Sequence, residues 1–484
     1  MQLYVIQRIL GLLLMIFSIS MLPPLLVGYY YNETEVLGTF GIAFFATLAT
    51  GFLLWVPIRK ERAEMRLRDG FIVVVMFWTV LGVFGTLPFL LSDAVQISFI
   101  DSLFESLSGL TTTGATVLSN LDQLPRSILF YRQQLQWLGG MGIIVLAVAV
   151  LPMLGVGGMQ LYRAETPGPV KDSKLTPRIT ETAKALWYIY LSLTILCTLS
   201  YWAAGMSVFD AISHSFSTIA IGGFSTHDAN IAHFDNTTIE WVAIVFMIIS
   251  GANFGLHFLA WRNRSLLFYF KDAEFKMYIS VLAAVSMITL VCLYVYQSHN
   301  DWFYPITKSV FQVVSIATTT GFTSEDFSAW PAFLPLLLIM LSFMGGCAGS
   351  TGGGMKVIRV LLLFKQGARE LKRLVHPSAE FAVKLGKKPV ENRIIEAVWG
   401  FLSAYIAVFV VMLILLSAAG LDQVSAYSAV AATLNNLGPG LGEVAHNYAG
   451  INWFSKCVLC LGMLLGRLEI FTLLVLLSPY FWRR

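Results

Sequence analysis

Four short segments rich in Gly, Thr and Ser, each set between apolar runs, constrain this chain more than any other feature. They read Thr111-Thr112-Thr113-Gly114-Ala115-Thr116, Ile221-Gly222-Gly223-Phe224-Ser225-Thr226, Thr318-Thr319-Thr320-Gly321-Phe322-Thr323 and Asn435-Asn436-Leu437-Gly438-Pro439-Gly440. Aligned without gaps, Gly114, Gly223, Gly321 and Gly438 share one column, 109, 98 and 117 residues apart (114 to 223, 223 to 321, 321 to 438). Backbone groups of a non-helical segment go unsatisfied against lipid. Such a segment survives at membrane depth only when buried in protein or lining a watery path. The economical arrangement is one ion pore built from four copies within a single polypeptide.

The remaining composition supports a membrane setting. Of 484 residues, 57% are hydrophobic and 12% charged, against about 25% charged in an average soluble domain. Cys197, Cys292, Cys347, Cys457 and Cys460 all lie in apolar or Gly-rich stretches, as packed thiols do. Cys457 and Cys460 form a CxxC without a second pair or a nearby His, and a structural zinc wants four ligands. The seven histidines include no HExxH, and no GxSxG or paired-carboxylate motif stands out, which argues against a membrane-embedded enzyme. Neither a cofactor nor a nucleic-acid partner is expected. The first apolar run, after Arg8, is long enough to span and has no small-x-small cleavage site after it, so it reads as a retained helix.

The pattern predicts an all-α polytopic protein with spans at 9–29, 37–57, 71–91, 127–152, 185–204, 238–260, 277–297, 332–362, 396–418 and 453–479. Stretches 99–112, 208–220, 305–318 and 423–435 are too short to span and read as re-entrant half-helices. The chain divides into an N-terminal hairpin (1–60) and four helix–half-helix–helix repeats, 61–155, 156–265, 266–375 and 376–484. Lys and Arg gather in the connections 58–70, 153–184, 261–276 and 363–395 and at Arg483-Arg484. The positive-inside rule makes these cytoplasmic, with both termini inside and the four glycine segments opening outward.

A half-helix entering from outside and stopping at mid-membrane points its negative dipole end inward, and four such ends favour a cation. The extended strand after each half-helix aims carbonyls at the axis, replacing the ion's water. A glycine at its centre allows the backbone values that a Cβ disfavours. Asp101 and Asp210, each 13 residues before the column glycine, are expected to cap their half-helices. Lys308 and Ser425 hold that position in the other two repeats, so the device is not universal.

Inside the eighth span, Gly345, Gly346, Gly349, Gly352, Gly353 and Gly354 fall within ten residues. Each costs a helix about 1 kcal/mol relative to Ala. The run lacks Walker spacing, since Val follows Lys356. Close helix packing through small residues would explain part of it. Its length points instead to an unwound loop beneath the four segments that can block the path. Arg467, within the last apolar run, costs about 2.5–3.5 kcal/mol at mid-membrane on insertion scales. It is either paired with Glu469, snorkelling, or a latch for that loop.

Taken as a set, TTTGAT, AIGGFST, TTTGFTS and NNLGPG in four such repeats resemble the TrkH branch of the Trk/Ktr/HKT potassium transporter superfamily, over nearly the whole chain. The resemblance implies a K+ filter formed by Thr112, Thr113 and Gly114; Ile221, Gly222 and Gly223; Thr319, Thr320 and Gly321; and Asn436, Leu437 and Gly438. Glycine rather than serine at 114 goes with potassium, and Rb+ is expected to permeate too. It also implies a gate formed by the 345–355 loop with Arg467, a bacterial inner-membrane location, a homodimer, and a cytoplasmic TrkA-like ring of nucleotide-binding subunits for which loop 363–395 is a docking surface. The second segment, with Ile219 and Ile221, and the fourth, without threonine, depart from the family pattern. The competing reading is an H+- or Na+-coupled symporter, which needs an intramembrane carboxylate such as Glu105 or Glu469.

Overall fold

The computed structural model describes residues 2–59, 66–140, 142, 179–296, 303–331, 333–386 and 388–483. The end of the fourth expected span, connection residues Lys60, Arg62, Arg163, Lys171, Lys174 and Arg178, and the repeat boundaries at 60/61 and 155/156 lie outside the described residues. The fold is helical. Its strands among the described residues are Lys384–Leu385 and Lys388–Pro389, a short antiparallel ladder in the connection between the third and fourth repeats.

The N-terminal hairpin packs Leu3–Ser18 against Thr34–Trp55. The two helices touch at glycines. A Cβ on Gly11 would meet the Gly51 carbonyl at 2.8 Å, and one on Gly51 would meet the Gly11 carbonyl at 2.8 Å. Such small-residue crossings let helices in lipid gain dispersion contact without a hydrophobic driving force. One apolar core joins this hairpin to the first and fourth repeats through Phe40, Phe104, Tyr131, Tyr405 and Met463. A second joins the second and third repeats through Tyr201, Met247, Tyr278 and Phe311.

Among the described residues, six helices are long and apolar enough to span, including Leu3–Tyr30, Ala183–Ala203 and Asn392–Ala418. Three of the expected spans are broken. The span expected at 238–260 is Thr237–Gly251 followed, after a 92° bend, by Phe254–Arg262. Asn253 starts the second helix by accepting a bond from the Gly255 amide at 2.7 Å, and this cap fixes the corner. The span expected at 453–479 is Trp453–Arg467 and Phe471–Leu477, bent by 115° where Glu469 and Ile470 take φ of 51° and 57°. The span expected at 332–362 consists of Leu334–Ser342 and Val357–Val375, separated by non-helical chain.

The half-helices are Phe99–Leu110, Val208–Ala220, Phe303–Thr318 and Gln423–Leu434. Their capping differs from expectation. Ser98 and Ser207 are the N-caps, accepting from the amides of Asp101 and Asp210, which sit three residues further on. The fourth half-helix is capped by Asp422, three residues before the position compared in the alignment. Asp101 instead pairs with Lys456 of the fourth repeat at 2.5 Å. Lys308, in the second turn of its half-helix, pairs with Glu240 of the second repeat at 2.6 Å. The same column thus ties neighbouring repeats together with opposite charge order.

Candidate ion pathway

Each half-helix ends in the same way. The amides of Thr112, Ile221, Thr319 and Asn436 donate to carbonyls three residues back, at 3.0–3.2 Å. The amides of Thr113, Gly222, Thr320 and Leu437 donate to carbonyls five residues back, at 2.7–2.9 Å. This is a Schellman closure, which normally places glycine at its left-handed residue. Here that residue is Thr112 (φ 55°), Ile221 (φ 56°), Thr319 (φ 69°) or Asn436 (φ 54°). Asn tolerates the left-handed region, whereas β-branched side chains there are strained, by roughly 1–3 kcal/mol each. Strain repeated at three equivalent positions needs a surrounding structure that holds it.

The column glycines supply that structure. A Cβ on Gly114 (φ +79°) would lie 2.1 Å from the Gly222 carbonyl oxygen, and one on Gly223 (φ +78°) 2.0 Å from that of Thr320. One on Gly321 (φ +80°) would lie 2.0 Å from the Leu437 oxygen, and one on Gly438 (φ +98°) 2.7 Å from the Thr113 oxygen. Each glycine therefore abuts the residue preceding the glycine of the next repeat, and the fourth returns to the first. The four column glycines and the residue preceding each form one closed ring, at a density that only glycine permits.

Buried polar side chains hold the ring. Nine residues before each column glycine stand Glu105, His214, Gln312 and Ala429. Glu105 accepts from the Thr116 hydroxyl at 3.0 Å and the Val117 amide at 3.0 Å, and is ion-paired with Arg132 at 2.6 Å, both side chains being almost wholly buried. Arg132 also donates to the Ser225 carbonyl of the second repeat at 3.1 Å. His214 lies 3.0 Å from the Ser225 hydroxyl, and Gln312 donates to the Glu325 carbonyl at 2.8 Å. In the fourth repeat, where Ala429 cannot bond, Ser428 accepts from the Leu441 amide at 2.8 Å and Ser425 from the Glu443 amide at 2.8 Å.

The ring is not evenly four-fold. Gly222, Gly223 and Gly438 carbonyls accept from Gln136 (2.6 Å), Asn230 (3.2 Å) and Tyr448 (2.8 Å) respectively. The first and third repeats share another arrangement, with hydroxyl pairs Thr111–Thr113 at 2.7 Å and Thr318–Thr320 at 2.8 Å. These three carbonyls of the second and fourth repeats therefore have one lone pair already engaged.

Gln136, Arg132, Asn230 and Tyr448 were not singled out by the sequence reading. For the first two a signal exists, because Arg126–Gly140 carries Arg132, Gln133, Gln134 and Gln136 buried in a helix where lipid contact would demand apolar residues. Asn230 and Tyr448 lie in the connections that follow the second and fourth glycine segments and carry no such signal.

The glycine run packs against the half-helix ends. The Gly353 amide donates to the Thr319 hydroxyl at 2.7 Å and the Gly354 amide to the Asn435 carbonyl at 3.0 Å. Thr351 donates to the Ile219 carbonyl at 2.9 Å. A Cβ on Gly352 would lie 2.8 Å from the Thr318 oxygen and one on Gly353 2.0 Å from the Asn435 oxygen. Gly345, Gly349 and Gly354 take φ of 66°, 72° and 69°, and Gly346 lies against Gly251. The loop's far edge is fixed by Glu274, which accepts from the Ala348 amide at 2.6 Å and the Ile358 amide at 3.1 Å.

Arg467 is the last residue of its helix, not the middle of a continuous one. It donates to the Thr112 hydroxyl at 3.2 Å, to the Thr351 carbonyl at 3.4 Å and to the Gly139 carbonyl, and its guanidinium lies 5.2 Å from the Trp78 ring. Glu469 pairs with Arg359. The loop reaches the second, third and fourth half-helix ends, and Arg467 joins it to the first.

A helical bundle in which four re-entrant half-helices close a glycine ring belongs to the class of multi-pass membrane transport proteins. The chain matches the TrkH cation transport protein family model over residues 38–483, and it belongs to that family. It is 58% identical to the Trk system potassium uptake protein TrkH of Vibrio parahaemolyticus over 485 residues, covering 100% of both chains. It is 57% identical to the TrkH of Escherichia coli strain K12 over 99% of both chains, and 40% identical to that strain's TrkG, covering 99% of this chain and 98% of TrkG. The crystal structure of the potassium transporter TrkH from Vibrio parahaemolyticus superposes with a TM-score of 0.91 at 55% identity, covering 100% of both chains.

Proposed function

We propose that this protein takes up K+ across the bacterial inner membrane through a channel-like pore. The observation that carries the reading is the closed ring in which each column glycine abuts the next repeat's backbone. In this reading Thr112–Gly114, Ile221–Gly223, Thr319–Gly321 and Asn436–Gly438 line the filter, and potassium is the transported ion. The glycine loop and Arg467 form the gate beneath it. The repeats divide the chain at 60/61, 155/156, 265/266 and 375/376, with the termini and basic connections cytoplasmic. The proximity of Arg68 to the Arg483 carbonyl, 2.9 Å, supports putting the first connection and the C-terminus on one side. A TrkA-like ring docking on the basic connection 363–395 and a homodimer complete the proposal.

Glu105, the carboxylate a coupled symporter would use, accepts bonds from Arg132, Thr116 and Val117. Those three partners occupy the carboxylate, which favours a structural role. The deciding experiment is Rb+ and Na+ flux into proteoliposomes, with and without imposed H+ or Na+ gradients. Passive, K+-preferring flux that falls when Gly114 or Gly321 is replaced by Ala supports the pore. Uptake appearing only with an H+ or Na+ gradient overturns it in favour of the symporter.

A further inference from the structure

The bent segment after Thr237–Gly251 has features that ion conduction does not require. Phe254–Arg262 leaves at 92°, too steeply to continue a span. Leu267–Lys271 folds back beside it, with the Tyr269 hydroxyl 2.7 Å from His257 Nδ1, while His257 Nε2 lies 2.9 Å from the Ile249 carbonyl. This hairpin exposes Trp261, at 75%, with Leu266, Leu267 and Phe270. Exposed Arg262, Arg264 and Lys271 are interleaved with them. Large apolar side chains alternating with basic ones suit a segment lying in the membrane interface against anionic headgroups.

Under the hairpin lies a groove of about 600 Å³. Its walls are Ile189 and Leu193 on one span and Ile248 and Ile249 on the next, and Trp261 and Tyr269 also line it. Ala252 lines it too. On either side of Ala252 the backbone holds the glycine loop: Gly251 accepts from the Cys347 amide at 2.8 Å, and the Phe254 amide donates to the Gly349 carbonyl at 3.0 Å. Whatever fills the groove therefore contacts the corner from which the loop is held.

We infer that this groove binds one anionic phospholipid, its acyl chain between the two spans and its headgroup at Arg262, Arg264 and Lys271, and that occupancy steadies the 345–355 loop. Charge selects the lipid: three exposed cations beside an apolar slot match an acidic headgroup on an acyl tail. The second half of the inference rests on reading that loop as the gate; the first does not.

The test uses the full chain in nanodiscs of phosphatidylcholine with or without phosphatidylglycerol. Native mass spectrometry should show one phosphatidylglycerol retained in preference to phosphatidylcholine. The triple variant R262Q/R264Q/K271Q should weaken that retention roughly 100-fold, from the loss of three cations at an anionic surface. Ser192→Trp, on the exposed wall of the groove, should abolish it. Alkylation of Cys347, read by peptide mass, should slow when phosphatidylglycerol is present, and the triple variant should lose that protection. Retention unchanged in both variants means only a non-specific lipid annulus and overturns the site, as does a second copy of the chain displacing the lipid. Specific retention without Cys347 protection overturns the coupling. Neither result touches the gate itself, which the Gly353→Ala flux measurement tests separately.

Discussion

The backbone amide of Gly353 lies 2.7 Å from the hydroxyl of Thr319, to which it donates. Thr319 is the strained left-handed residue that ends the third half-helix, so the loop is bonded directly to the turn that builds the ring. A Cβ on Gly353 would stand 2.0 Å from the Asn435 carbonyl, and the loop could not keep this seat. Gly353→Ala should raise Rb+ leak through the isolated chain at least about tenfold, the ratio that roughly 1.4 kcal/mol against the closed arrangement produces. Flux assays in proteoliposomes measure it. Unchanged leak with intact protein would show that the loop does not limit conduction.

Arg467 joins the loop to the first repeat through Thr351 and Thr112. In the proposed gate, Arg467 acts as a positive barrier, a clamp or both, so Arg467→Ala should raise flux. Arg467→Lys keeps the charge but loses the planar fork that reaches several acceptors. If the barrier is electrostatic, Lys should restore low flux; if it is the clamp, Lys should behave like Ala. Unaltered flux and gating in the Ala variant would sink both.

The half-helices are legible in the sequence because an apolar stretch of about a dozen residues cannot span, and four such stretches precede a shared glycine. The bends at Ala252 and Glu469 are not. Hydropathy registers composition but not direction, so a helix, a corner and a second helix read as one span. Asn253 is a cap signal only once the corner is known. The Asp101 and Asp210 carboxylates look like caps from their position, but Ser98 and Ser207 begin the helices first. Arg467 is visible as a costly residue. Its partners are not, since Thr112, Gly139 and Thr351 lie 355, 328 and 116 residues away in sequence and meet only in the folded chain.

Glu105 and Arg132 form a buried pair at 2.6 Å that also spans two repeats through Ser225. Removing one partner leaves the other charge uncompensated, at a cost of about 3–5 kcal/mol. Arg132→Met and Glu105→Gln should each lower thermal stability of the purified protein markedly, by size-exclusion or fluorescence melting. The double variant should recover part of the loss, because no lone charge remains. Equal, additive losses would mean that the pair does not act as a unit.

His227 sits in the loop that follows the second glycine segment, its ring stacked 3.5 Å from that of His233 and bonded to Asp122 of the first repeat. Burial pulls the His227 pKa down, but its bonds to Asp210 and Asp122 outweigh that and leave it above the ordinary value. Burial likewise raises Asp122, and the bonds to His227 and the Asp228 amide outweigh it, so its pKa is lowered. The histidine's contribution is full below its ordinary pKa and is lost as pH rises through the raised value. The aspartate's is full above its ordinary pKa and is lost as pH falls through the lowered one. Amide exchange of the 227–235 loop, corrected for the intrinsic rate, should therefore be slowest in mildly acidic solution and quicken as the pH rises above the ordinary histidine value and through the raised one. His227→Gln should remove that dependence while leaving the loop that follows Gly321 in the third repeat unchanged. A loop whose protection is flat across this range in the unaltered protein would show that the pair carries no weight there.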